Sequence, residues 1–138
     1  MKQYYEAPGP EGEPLPTDPN PWVYDREVSL PLDYWDLILE LAGRIDAEAT
    51  ARLRSQSGRA GWDHEDEIEI SSEEAARTAA FLERVASVIV DADPLVPEPT
   101  EKFPEAYYND ELARMARAAG AVFAEAARRG ELLRAWTE

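Results

Sequence analysis

The sequence predicts a mainly helical α+β fold: a three-helix core, a small two-stranded sheet and a proline-rich N-terminal arm. Three observations carry this expectation. Three long stretches repeat apolar residues at spacings of three and four, the period of one helix face. Two short stretches, one before each of the first two helices, alternate apolar and polar residues, the period of a half-buried strand. Six prolines crowd between Pro8 and Pro21. The 138 residues suit one domain, which at this size buries about 68% of its unfolded surface. Residues 1–25 are expected to be the extended arm and 26–138 a single mainly helical domain.

In the arm, each proline fixes φ and removes a backbone donor, which disfavours helix and central strand alike. Tyr4, Tyr5, Trp22 and Tyr24 are large apolar surfaces near its ends, and Trp22 and Tyr24 are expected to pack on the domain. Val28 and Leu30 then alternate with Glu27 and Ser29 as a short strand that Pro31 stops. A helix over about 33–55 follows, with Asp33 as N-cap and Asp36 in its first turn. Tyr34, Ile38, Leu41, Ile45 and Ala49 form its stripe, and Gly43 marks a close contact. Glu67 to Ile70 alternates again, with Ile68 and Ile70 inward and the glutamates outward. Ser71 and Glu74 form a capping box that opens a helix over about 72–92. Ala75, Ala79, Leu82, Ala86 and Ile89 are its buried face, and Asp93-Pro94 ends it. The two strand–helix units look alike in plan, and their strands are expected to pair with each other.

Asn109 is the expected N-cap of the third helix. Leu112, Met115, Ala119, Val122 and Ala126 form its stripe, Gly120 permits close packing, and Arg128, Arg129 and Gly130 mark its end. Leu132, Leu133 and Trp136 suggest a short final helix over 131–136.

Charge and missing residue types narrow the function. The formal net charge is −15, which repels phosphate and argues against nucleic acid as partner. The same field speeds encounter with a basic protein. With no cysteine, a disulfide framework, a thiol nucleophile and a sulfur-built zinc site are excluded. The single histidine, His64, lies among carboxylates that favour its charged, solvated form. Nucleophile-elbow, Walker and dinucleotide-binding motifs are lacking. Asp63, Glu65 and Asp66 are hard oxygen donors, but the EF-hand spacing is missing and adjacent carboxylates of an extended chain point to opposite sides. No catalytic residue, metal or cofactor is therefore expected. No signal peptide and no run of about 18 apolar residues is present, so a cytoplasmic protein without membrane contact is expected. Twelve arginines against two lysines, with abundant alanine, suggest a GC-rich bacterial source.

The stretch GWDHEDEIEI, Gly61 to Ile70, holds the densest negative charge. Trp62, Asp63, Glu65, Asp66, Glu67 and Glu69 are the candidate partner-binding residues, an aromatic anchor beside desolvatable charge. The function expected is a non-enzymatic acidic binding module, such as an immunity- or antitoxin-like inhibitor that blocks a basic, toxin-like partner, for example a nuclease. The alternatives are a structural or adaptor subunit using Trp22, Tyr107, Tyr108 or Trp136, and, least favoured, a carboxylate-dependent metal enzyme.

Overall fold

A computed structural model describes residues 1–57, 67–96, 98–101 and 108–138. Among these are four helices and a five-stranded antiparallel sheet, which corrects the expected three-helix core with two strands. The strands are β1 (Lys2–Glu6), β2 (Val23–Tyr24), β3 (Glu27–Pro31), β4 (Ile68–Ile70) and β5 (Leu133–Thr137). The helices are α1 (Leu32–Ile45), α2 (Ala47–Ser55), α3 (Ser72–Asp91) and α4 (Asn109–Arg129). Sheet order is β2-β3-β1-β5-β4.

The central strand, β1, comes from the expected arm. Gln3 and Tyr5 face inward and Lys2, Tyr4 and Glu6 outward. An inward glutamine hides the alternation in the sequence. It is tolerated because its amide is satisfied: Gln3 Nε2 donates to Ser57 O at 2.7 Å and Trp136 O at 3.1 Å, and its Oε1 accepts from Thr137 Oγ1. The final segment is a strand and not the expected helix. Leu133, Ala135 and Thr137 bury one side while Arg134 and Trp136 face out. The two strands read from sequence do not pair with each other; β1 and β5 stand between them.

The expected helix over 33–55 is two helices. Asp46 turns to extended backbone, and its side chain accepts from Ala49 N at 3.0 Å to cap α2. The apolar period runs through this corner, which conceals it. Pro31, rather than Asp33, is the cap position of α1. Ser71 caps α3 by accepting from Glu74 N, and Gly130 closes α4 in the left-handed conformation, both as the residue types require. Asn109 lies inside α4. Its amide instead ties the two helices of the α3–α4 hairpin together, accepting from Leu95 N and donating to Ile89, Ala92 and Asp93 carbonyls.

Among the described residues, the buried core lies on one side of the sheet. Tyr5 packs on Trp35 of α1 and, at 4.8 Å between ring centroids, on Phe123 of α4. Val28, Leu30, Ile70, Leu133 and Ala135 complete the inner face. Small residues let α3 and α4 pack closely; a β-carbon on Gly120 would lie 3.6 Å from Leu82 Cβ.

The proline-rich segment is held by a buried cation. Arg26, 6% exposed, donates to Pro8 O, to Glu13 O at 2.6 Å and to Glu125 Oε2 of α4 at 2.7 Å. Glu125 also bonds Arg128, and these guanidinium contacts hold its carboxyl below the usual range despite burial. Trp22 is buried with Arg114 over its ring, while Tyr24, expected to pack, is 88% exposed.

Candidate functional site: the open face of the sheet

Strand alternation assigns the other face of the sheet to solvent. Outward positions are Lys2, Tyr4 and Glu6 on β1, Tyr24 on β2, Glu27, Ser29 and Pro31 on β3, Arg134 and Trp136 on β5, and Glu69 on β4. Glu67 and Glu138 flank the last two strands. Among the described residues, no helix packs on this side.

Two half-buried rings form its centre. Tyr4 and Trp136 are cross-strand partners, and their rings stack in parallel, 5.3 Å between centroids and 1° between planes. Offset stacking of this kind holds large apolar surface in place with little further entropy loss on binding.

Five carboxylates ring the pair: Glu6, Glu27, Glu67, Glu69 and Glu138. Register sets their relations. Glu6 lies opposite Glu27 on the β1–β3 ladder, and Glu69 opposite Arg134 on the β4–β5 ladder. Arg134 bonds Glu6 and reaches Glu67 at 3.2 Å, linking β5 to β1 and to the residue before β4. The Glu6 bond, with the Glu6, Glu67 and Glu69 charges, raises the Arg134 guanidinium above its ordinary value. Glu27 has no cation partner among the described residues. Burial pushes its carboxyl up, and the Glu6 and Glu138 charges add to that. Burial likewise raises the Tyr4 phenol, with Glu138 and Glu27 contributing, so both carboxylates act on the Tyr4 ring.

Of the residues expected to bind a partner, Glu67 and Glu69 belong to this face, oriented as the alternation of β4 predicts. Trp62, Asp63, Glu65 and Asp66 lie outside the described residues, as does His64. Sequence reasoning missed Tyr4, Glu6, Glu27 and Glu138 as members of one surface. Strand alternation around Tyr4 and Trp136 was the available signal, obscured by Gln3 and by the helix-like spacing of Leu132, Leu133 and Trp136.

A face of this kind can bind a cationic surface: it offers an apolar platform and unpaired charge within one patch. Among the described residues, no group of three or more carboxylate or histidine side chains is placed to hold a metal ion, and no helix is long and apolar enough to cross a membrane. Comparison with protein-family models, with curated proteins and with solved structures finds no match to this chain.

Proposed function

We propose that this protein is a non-enzymatic acidic docking module that binds a basic protein through the open face of its sheet, in the manner of an immunity- or antitoxin-like inhibitor. The observation that carries this reading is the stacked Tyr4–Trp136 pair ringed by Glu6, Glu27, Glu67, Glu69 and Glu138. Aromatic anchors in a charged surround concentrate binding energy at interfaces. The net charge of −15 supplies long-range attraction toward a basic target.

The test is capture of partners from the source organism on the immobilised protein, eluted by increasing salt and identified by mass spectrometry. Wild type is compared with a Trp136→Ala, Glu27→Lys double variant. A basic protein should be retained by wild type, released by salt and lost with the variant. Retention that ignores both salt and the variant would disprove docking on this face. A second variant set, Asp63→Lys, Glu65→Lys and Asp66→Lys, measures what the residues before β4 add to affinity and to its salt dependence.

A further inference from the structure

We propose that the open face takes an arginine side chain of its partner, seated between the Tyr4 ring and Ser29 with Glu27 as its counter-ion; this rests on the docking reading above. The Tyr4 ring gives one face to Trp136 on β5. Its other face is turned toward β3, where its register partner is Ser29. A serine side chain is short and covers less of that ring face than a larger residue would. Glu27 stands two residues along the same strand on the same side of the sheet. It faces Glu6 across the ladder, and among the described residues no cation neutralises it.

The chemistry favours arginine over lysine. A guanidinium is planar, weakly hydrated and able to stack on a ring while its N–H groups donate to a carboxylate at the edge. An ammonium is a hydrated point charge that gains less from the ring. The same face already holds one arginine by carboxylates: Arg134 bonds Glu6 and reaches Glu67. A second copy of this chain is a poor occupant, because two such faces would bring carboxylates against carboxylates with a charge of −15 behind each.

The experiment titrates two synthetic peptides of equal length and charge, one bearing arginines and one lysines, into isotope-labelled protein. Amide and indole resonances report the binding site and the affinity. The arginine peptide should bind about two- to fivefold more tightly for each stacked guanidinium, with shifts centred on Tyr4, Ser29 and Trp136. Ser29→Phe, an outward substitution by a good strand former, should cover that ring face and abolish the preference. Glu27→Gln should weaken the arginine peptide more than the lysine peptide. Equal binding of the two peptides at this face would overturn the arginine assignment and leave acidic docking standing. Shifts elsewhere, or no binding by either peptide, would overturn both.

Discussion

Replacing Glu125 with glutamine removes the carboxylate bonded to the buried Arg26 guanidinium at 2.7 Å. The two side chains are 6% and 3% exposed, so water cannot replace the lost charge. Breaking a buried pair from one side costs about 3–5 kcal/mol, because the remaining ion stays desolvated. Arg26 keeps its bonds to the Pro8 and Glu13 carbonyls, which places the expected loss at the lower end, about 3 kcal/mol. Set against a typical domain stability of about 5–15 kcal/mol, that is a large fraction, and it corresponds to a fall in Tm on the order of 10 °C. Urea unfolding followed by circular dichroism and tryptophan fluorescence measures it. A double-mutant cycle with Arg26→Met and Glu125→Leu isolates the pair, with an expected coupling of about 2–3 kcal/mol. A loss below about 1 kcal/mol for Glu125→Gln, or a coupling near zero, would refute the assignment of Arg26 and Glu125 as the clasp between the proline-rich segment and α4.

The same clasp predicts that Gly9→Ala destabilises by about 1–3 kcal/mol. Gly9 has φ +128°, and a β-carbon there would meet Arg26 Nη2 at 2.5 Å; thermal melting checks it. Glu125, with its folded-state pKa lowered, gives stability that is present above its unfolded value and lost as pH falls through its folded value. Acid unfolding of Glu125→Gln should therefore lack that component of the wild-type curve. Glu27 has the opposite sign. With its pKa raised, it costs stability while ionised. Glu27→Gln should be at least as stable as wild type at neutral pH, with the advantage fading as pH falls through the raised value in pH-dependent melts. Trp136→Ala, on the solvent side of β5, should lose far less stability than Phe123→Ala in the core, which is expected to cost about 3–5 kcal/mol.

The parts of the fold that were legible are those with local chemistry. The Ser71–Glu74 box, the Arg128-Arg129-Gly130 stop and the outward direction of Glu69 in β4 each depend on neighbours a few residues away. The parts that were not legible depend on distant partners. Gln3 is an acceptable inward residue only because Ser57, Trp136 and Thr137 supply its hydrogen bonds. Leu132, Leu133 and Trp136 have the spacing of a helical stripe, and it is the ladder with β1 and β4 that makes Leu133–Thr137 extended. The corner at Asp46 was masked because Ile45 and Ala49 keep helical phase across it. The proposed binding face was half visible for the same reason: Glu67 and Glu69 announce their direction, but Tyr4, Glu27 and Trp136 meet only after three remote strands align.

The sheet's middle is made by the earliest and the latest residues of the sequence: β1 and β5 lie side by side, sealed by reciprocal backbone bonds between Lys2 and Glu138. During synthesis, Gln3 to Glu6 must wait for their second neighbour until Leu133–Thr137 has left the ribosome. Closing so wide a loop is slow relative to local helix formation. The α3–α4 hairpin can thus assemble before β1 gains its second neighbour and before the Tyr4–Trp136 stack can form.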